Sequence, residues 1–169
     1  MQKILGYMRK ACNEFQLIEN GDKIAVGVSG GKDSLVLLAG LAKLRSFEGF
    51  SFDVAAITLD PRFGGVNGNY EAVERLCREL DIEYHLIETD IGSIVFDVRK
   101  EPNPCSLCAR MRRGALYSKA EELGCNKLAL GHHYDDVIET TMLNLLCSAN
   151  FKTMLPKLHS TNFDGIQII

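Results

Sequence analysis

Two kinds of apolar segment alternate along nearly the whole chain, and this alternation restricts the fold more than any other feature. Short runs rich in β-branched residues, such as KIAVGVS from residue 23, predict buried strands. Longer apolar runs, such as LVLLAGLAKL from residue 35, predict helices. Strand–helix–strand units join through right-handed crossovers into a parallel sheet that is covered on both faces. We therefore predict an α/β fold with a parallel sheet of about five strands and helices on both faces.

The predicted strands span residues 23–29, 52–59, 83–88 and 127–131, with the start of another at 164–169. The predicted helices span residues 2–18, 33–45, 69–80, 104–123 and 135–146. Three turns that follow strands are rich in glycine or acidic residues: 29–34, 60–68 and 131–136. In a parallel sheet such turns meet at the carboxyl edge, where ligands bind at the point at which strand order reverses. We therefore expect the three turns to line one crevice.

Composition limits the class of protein. The chain has 169 residues, of which 46% are hydrophobic and 24% charged, as in a globular protein with one core. Its net charge of -3 gives no overall basic excess, so a nucleic-acid partner would need a local basic patch. The chain has no apolar run of roughly 18 residues, the length of a membrane span, and its start, MQKILGYMRK, lacks a secretory signal. We expect a cytoplasmic protein with no membrane partner.

The sequence SGGKDS closes the first predicted strand and opens the helix after it. Its glycines allow positive φ and a close approach of the backbone to a ligand. The amides at the helix N-terminus favour an anion, the lysine adds a cation, and the aspartate can hold Mg²⁺ against phosphates. The spacing differs from GxxxxGK[ST] and GxGxxG, and the plain alternative is a tight turn with incidental polar residues. We assign all six residues to nucleotide binding: Ser29, Gly30, Gly31, Lys32, Asp33 and Ser34.

A second turn, GHHYDD from residue 131, follows the fourth predicted strand. Its glycine permits a close approach of the backbone to a nucleotide, and its two histidines are candidates for substrate or nucleotide contacts. Asp135 or Asp136 can orient Mg²⁺ or cap the following helix, and N-capping is the alternative for Asp135. We add four residues to the nucleotide site: Thr58, Gly131, His132 and Asp136.

Six cysteines occur in the chain, and a reducing cytosol would keep their thiols free. We predict that four are small buried apolar side chains: Cys12, Cys77, Cys125 and Cys147.

The other two cysteines, Cys105 and Cys108, form a CxxC directly after Pro104. Because proline favours the first position of a helix, both thiols should lie in its first turn, on one face. A helix N-terminus favours the thiolate, the form that ligates metals and carries out sulfur chemistry. A single CxxC supplies only two ligands, whereas a structural zinc site needs four, and a redox disulfide pair is a further alternative.

In order along the chain, SGGKDS, PCSLCARMRRG and GHHYDD resemble the motifs of PP-loop ATP pyrophosphatases and, taken together, those of the tRNA 2-thiocytidine synthetase family. This resemblance implies a Rossmann-like fold of the adenine nucleotide alpha-hydrolase type. It implies that residues 1–169 form a single PP-loop ATP-binding domain that lacks a C-terminal portion. The implied activity is ATP-dependent tRNA thiolation, in which a cytidine carbonyl oxygen is adenylated and sulfur insertion then gives 2-thiocytidine.

The same resemblance implies residue roles and cofactors. It makes Asp33, Cys105 and Cys108 catalytic, with Asp33 and Asp136 holding Mg²⁺ beside ATP. Cys105 and Cys108 would ligate a [4Fe-4S] cluster. The third cluster cysteine of the family lies downstream of the helix that follows GHHYDD, and no cysteine of this chain matches that position.

The implied partners are tRNA and either a sulfur donor protein or sulfide, and a homodimer is an open oligomeric state. Basic residues near the CxxC form a candidate tRNA-facing patch, with a solvated helix face as the alternative: Arg99, Lys100, Arg110, Arg112, Arg113 and Lys119. Two other functions stay open. One is a PP-loop ligase with a different acceptor, such as a lysidine synthetase-like or NAD synthetase-like enzyme, and the other is a non-catalytic ATP- or metal-binding module.

Overall fold

The computed structural model describes residues 1–47, 49, 51–100, 102–160, 163 and 165–169. The strands are β1 (Lys23–Gly27), β2 (Asp53–Asp60), β3 (Glu83–Glu88), β4 (Lys127–Leu130), β5 (Leu158–His159) and β6 (Gln167–Ile168). The α-helices are α1 (Gln2–Phe15), α2 (Lys32–Leu44), α3 (Glu71–Glu79), α4 (Ile91–Ser93), α5 (Pro104–Glu122) and α6 (Tyr134–Ser148). A 3₁₀ turn spans Phe63–Gly65, and α4 continues into a π-helical stretch, Ile94–Arg99.

The strands form one sheet with the order β3-β2-β1-β4-β6-β5. Every neighbouring pair is parallel except β5 with β6. The chain steps outward from β1 to β2 and β3, then returns to place β4 on the other side of β1, so strand order reverses between β1 and β4. The predicted α/β fold with a largely parallel sheet is confirmed, but the described strands number six because the two-residue strand β5 is too short to show a periodic pattern.

Alternate residues of the central strands supply two separate apolar cores, because successive side chains point to opposite faces. Ile24, Val26 and Ala56 face a core that also contains Cys12 of α1, Leu38 of α2 and Val73 of α3. Ala25, Ala55 and Leu128 face the second core, which contains Tyr117 and Ala120 of α5. Helices therefore cover both faces of the sheet, with α5 on the face opposite α1, α2 and α3.

A third apolar cluster lies at the carboxyl end of β2. Leu59 packs there with Ile91 and Val95 of the α4 region and with Leu107 and Cys108 of α5. The first turns of α5 therefore reach the same edge of the sheet as the loops that follow the strands.

The predicted element boundaries needed several corrections. Helix α1 ends at Phe15 rather than near residue 18, because Gln16 takes a left-handed conformation with φ of 50°. Asp164, the first residue of the predicted terminal strand, lies outside the described residues, and the strand found there is β6.

Of the four cysteines predicted to be buried, Cys147 is exposed. No described helix combines the length and the apolar character that crossing a membrane requires.

Candidate functional site

The SGGKDS loop connects β1 to α2 at the point where strand order reverses. Gly30 has φ of +82°, and Gly31 is the N-cap of α2, which no described side chain caps. The Ser34 hydroxyl donates to the carbonyl oxygen of Gly31 at 2.9 Å and accepts the Ser29 backbone N–H at 3.2 Å. The Ser34 hydroxyl thus fixes the loop by hydrogen bonds to its backbone, while the first amides of α2 donate to no described side chain and remain open. An uncapped helix N-terminus of this kind suits a phosphate group.

Lys32 and Asp33 place opposite charges on the exposed side of this loop. The Lys32 Nζ atom lies 2.8 Å from Asp33 Oδ1. This hydrogen bond lowers the pKa of Asp33, and the charges of Lys32 and His133 add to the effect. The pKa of Lys32 is raised, first by its bond to Asp33 and further by the charges of Asp135 and Asp136. Both groups are therefore ionised at neutral pH, as a cation and a Mg²⁺ ligand at a phosphate site need to be.

Gly131 brings the turn after β4 against the SGGKDS loop at residues 29–34, which we call the phosphate loop. A Cβ atom at this position would lie 2.9 Å from the Ser34 nitrogen and 3.1 Å from the Asp33 carbonyl carbon. The sequence predicted that Gly131 lets the backbone approach the nucleotide. In the structure, the backbone of Gly131 lies close to the backbone of α2 instead. The GHHYDD turn and the SGGKDS loop therefore form one continuous wall of the crevice.

His133 and Asp136 cap α6 in a reciprocal arrangement. The His133 backbone N–H donates to Asp136 Oδ2 at 2.7 Å, and His133 Nδ1 lies 3.3 Å from the same oxygen. The predicted capping role thus falls to His133 as N-cap with Asp136 as its partner, and not to Asp135. One carboxylate oxygen of Asp136 is therefore engaged by the protein, while Asp135 is exposed.

Thr58 and His132 lie close to the loop but do not face it in the predicted way. Thr58 is fully buried, and its hydroxyl donates to the carbonyl oxygen of Val28 at 2.9 Å, which joins β2 to the end of β1. Because this side chain is buried beneath the crevice, it is not exposed to a bound nucleotide. His132 lines a cavity of about 610 Å³ that also contains Tyr117 and His159.

The CxxC opens α5 as predicted, with Pro104 in the first turn and the Asn103 side chain accepting the Ser106 N–H at 3.3 Å. Cys105 is exposed, whereas Cys108 is buried in the cluster around Leu59. The pair therefore has one thiol at the surface and one against the carboxyl end of β2.

The residues described fit ATP better than a complete iron–sulfur cluster. The Gly-rich loop and the open N-terminus of α2 match a chain of phosphates. In contrast, no group of three potential metal ligands occurs among the described residues. Cys12, Cys77 and Cys125 are buried in the two sheet cores, and Cys147 is exposed on α6. None of them joins the CxxC in a group of three among the described residues.

A cavity of about 380 Å³ connects the phosphate loop with α5. Ser29, Asp60, Tyr70 and Arg112 are among the residues that line it. The turn at 60–68 was expected to face the crevice, but none of its residues was assigned a role. The signal that could have found Asp60 was an acidic residue at the end of a buried apolar run. In the structure, Asp60 Oδ1 accepts the Arg62 N–H at 2.9 Å and shapes this turn.

Five of the six residues in the candidate tRNA-facing patch are exposed. Arg110, Arg112 and Arg113 are exposed on α5, as are Arg99 and Lys100 before it. Lys119 is half-buried and pairs with Glu122 at 2.7 Å, so it belongs to the helix surface instead.

Comparison with known proteins places these features in a family. A family model described as a PP-loop domain matches residues 5–169. The chain is 43% identical over 169 residues to a tRNA-cytidine(32) 2-sulfurtransferase of Polynucleobacter necessarius, covering 99% of this chain and 55% of the relative. It is 40% identical over 161 residues to a protein of the same name from Pseudomonas syringae, covering 95% of this chain and 57% of the relative. The chain thus spans little more than half the length of these relatives.

A solved structure shares the fold. The U34-tRNA thiolase of Methanococcus maripaludis, determined with its [4Fe-4S] cluster, superposes with a TM-score of 0.68 and 29% sequence identity. The match covers 84% of this chain and 49% of that one.

Proposed function

The chain belongs to the PP-loop domain family, and from this premise we propose that it catalyses ATP-dependent thiolation of a tRNA cytidine. The carbonyl oxygen on carbon 2 is adenylated and then replaced by sulfur, which gives 2-thiocytidine. The observation that carries the proposal is the cavity shared by Ser29 of the phosphate loop and Arg112 of the CxxC helix. An ATP site alone would suit many acceptors, whereas a site that shares a cavity with the helix carrying the CxxC suits sulfur transfer.

Adenylation forms a bond from the cytidine oxygen to the α-phosphorus of ATP and breaks the bond from that phosphorus to pyrophosphate. The amides that open α2 and the Lys32 ammonium group would bind the departing pyrophosphate as its charge develops. Asp33, kept ionised by Lys32, would hold Mg²⁺ against the phosphates. Asp136 would act on this ion from the turn after β4, with its remaining oxygen, because Oδ2 already accepts the His133 N–H.

Sulfur insertion breaks the bond from carbon 2 to the activated oxygen, and AMP leaves with that oxygen. When the sulfur arrives as sulfide, the exchange involves no net oxidation or reduction. Cys105 and Cys108 would supply two thiolates to the group that holds the sulfur. A [4Fe-4S] cluster, when bound there, would offer an iron site for sulfide, but the two cysteines do not by themselves form a complete cluster site.

The proposal extends to partners and location. The exposed arginines of α5 would bind the tRNA backbone, and a cytoplasmic location follows from the tRNA substrate. A sulfur donor protein or free sulfide would supply the sulfur, and residues 1–169 would act as one PP-loop ATP-binding domain.

The two half-reactions should be separable by substitution, because they use different elements. Purified protein would be incubated with ATP, Mg²⁺, sulfide and tRNA, with pyrophosphate release and thiocytidine measured in parallel. Asp33→Ala should abolish both products, since the Mg²⁺ ligand is lost. Cys105→Ser should abolish thiocytidine while ATP affinity, measured by calorimetry, stays at the wild-type value.

Two matched variants serve as controls. Asp53→Ala removes an exposed carboxylate at the opposite edge of the sheet, and Cys147→Ser removes the other exposed thiol. Both should retain pyrophosphate release and thiocytidine. Thiocytidine formation by Cys105→Ser at the wild-type rate would show that the cysteine pair is structural and would refute the thiolation mechanism.

A further inference from the structure

An exposed arginine lines the cavity between the phosphate loop and α5. Arg112 is exposed and lines this cavity together with Ser29, Asp60 and Tyr70. Among the described residues, none forms a hydrogen bond or an ion pair with the Arg112 guanidinium group. An arginine side chain in a concave site is therefore available for an anion.

Within the part of the chain that the structure describes, the acidic residue of the same cavity, Asp60, forms no ion pair with this arginine. Both carboxylate oxygens of Asp60 accept backbone N–H groups, Oδ1 from Arg62 at 2.9 Å and Oδ2 from Gly68 at 2.7 Å. Burial raises the pKa of the Tyr70 phenol, the charge of Asp60 raises it further, and the charge of Arg112 opposes the rise. The Arg112 charge thus acts on the interior of the cavity while Asp60 is occupied in shaping the turn at 60–68.

The position of Arg112 on α5 links the two halves of the site. Arg112 follows Cys108 by four residues, so both lie on one face of the helix, one turn apart. Cys108 packs against Leu59 at the carboxyl end of β2. Arg112 therefore lies one helical turn from Cys108 and lines the same cavity as Leu59 and Ser29, the first residue of the phosphate loop.

The neighbouring arginine faces elsewhere. Arg113 lines the separate cavity of about 610 Å³ with Tyr117 and His132, and its charge acts on the pKa of Tyr117, which burial raises. Two adjacent arginines with the same charge thus differ in the site they serve.

We propose that Arg112 binds the α-phosphate of the bound adenine nucleotide and positions it between the phosphate loop and the cysteine pair. The five N–H donors of a guanidinium group form a planar fork that matches phosphate oxygens. The cavity adjoins Ser29 at the strand end of the loop, whereas Lys32 and the free amides lie at its helix end and suit the other phosphates. This inference rests on the proposed function, since it requires the loop at 29–34 to be the ATP site.

The test measures the affinity of Arg112→Gln for ATP, AMP and adenosine by calorimetry. We expect the Kd values for ATP and AMP to rise by about 10- to 100-fold, because a charge-assisted contact to the α-phosphate is lost. The Kd for adenosine, which has no phosphate, should not change. Arg112→Lys keeps the charge without the fork and should give an intermediate loss. The control Arg9→Gln, at an exposed arginine of α1 that does not line this cavity, should bind all three ligands as the wild type does.

The other binding outcomes would contradict either the α-phosphate contact or the proposed function. Wild-type affinity of Arg112→Gln for ATP would remove the phosphate contact, and an equal loss for adenosine would mean that Arg112 shapes the nucleoside pocket instead. A loss for ATP alone would assign the contact to another phosphate. Failure of the wild-type protein to bind ATP would refute the proposed function itself. An unchanged melting temperature for Arg112→Gln would establish that its fold is intact.

Discussion

Gly131 is the residue at which two backbones of the site meet. An added Cβ would lie 2.9 Å from the Ser34 nitrogen and 3.1 Å from the Ser34 Cα, and these backbone atoms cannot move away without shifting α2. We expect Gly131→Ala to lower the free energy of unfolding by about 1–3 kcal/mol, the usual cost of overpacking. It should also weaken ATP binding, because the turn after β4 would separate from the phosphate loop. Chemical denaturation and calorimetry would measure the two effects.

Gly6 offers the matched control for this substitution. It lies within α1, has no atom within 4 Å of an added Cβ, and does not have positive φ. Gly6→Ala should therefore raise the stability by up to about 1 kcal/mol, the difference in helix propensity. A Gly131→Ala variant as stable as Gly6→Ala, with wild-type ATP affinity, would contradict the role assigned to the close approach.

At the scale of elements, a buried ion pair ties together β1 and β4, the two strands beside the crevice. Lys127, the first residue of β4, is only 4% exposed, and its Nζ lies 2.7 Å from Asp22 Oδ2, just before β1. The same nitrogen donates to the carbonyl oxygen of Leu17 at 2.8 Å, and Asn126 donates to Asp22 Oδ1 at 2.7 Å. This network at the amino edge of the sheet holds the strands whose carboxyl ends carry the site.

Removal of one partner should be costly, because it leaves a buried charge without compensation. We expect Asp22→Ala to lower the free energy of unfolding by about 3–5 kcal/mol. Arg78→Ala, which breaks the exposed pair of Arg78 with Glu74, should cost no more than about 0.5 kcal/mol. Denaturant unfolding of both variants would measure the difference, and equal small losses would show that the buried pair adds nothing.

The same pair also predicts how stability depends on pH. Burial opposes ionisation of Asp22, but hydrogen bonds from Lys127, the Glu19 N–H and Asn126 outweigh it and lower the pKa of Asp22 below its ordinary value. The stabilisation from Asp22 is thus complete above the pKa of the unfolded chain and is lost as the pH falls through the lower pKa of the folded protein. Below about pH 4 the wild type should lose more stability than Asp22→Asn does.

At the scale of the whole molecule, α6 stands apart because it has no buried residue. Its exposed apolar side chains recur on one side of the helix and continue beyond it: Ile138, Met142, Leu143, Leu145, Leu146 and Phe151. Leu143 is 62% exposed and Leu146 is 74% exposed. An apolar surface of this extent binds other apolar groups.

We expect the protein to bind a hydrophobic fluorescent dye through α6, and Leu143→Lys with Leu146→Lys to reduce the fluorescence. The affinity for ATP should be unchanged, because neither side chain lines the crevice. Leu86→Lys with Val98→Lys, two exposed apolar residues outside α6, provides the matched control and should retain the dye signal. Equal fluorescence from wild type and the α6 variant would show that this helix is not the apolar surface.

Several features of the molecule could be predicted because they depend on residues close in sequence. The alternation of short and long apolar runs predicted the parallel sheet, and the glycines of SGGKDS predicted the turn from β1 to α2. Pro104 predicted the start of α5 and hence the place of Cys105 and Cys108 in its first turn. Propensity, capping and periodicity act over a few residues, so a sequence carries them openly.

Other features depended on contacts between distant segments, and only the tertiary structure decided them. The Thr58 hydroxyl donates to the carbonyl oxygen of Val28 and does not face the crevice. Residue 131 is a glycine because a Cβ there would collide with the backbone of Ser34. The α4 region and its π-helical continuation form where Ile91 and Val95 pack on Leu59. Arg112 and Ser29 line one cavity, although α5 and the phosphate loop lie far apart in the chain. The sequence alone determined which side chains have the chemistry to bind phosphate or sulfur, but burial and hydrogen bonds across the fold decided which of those side chains are exposed.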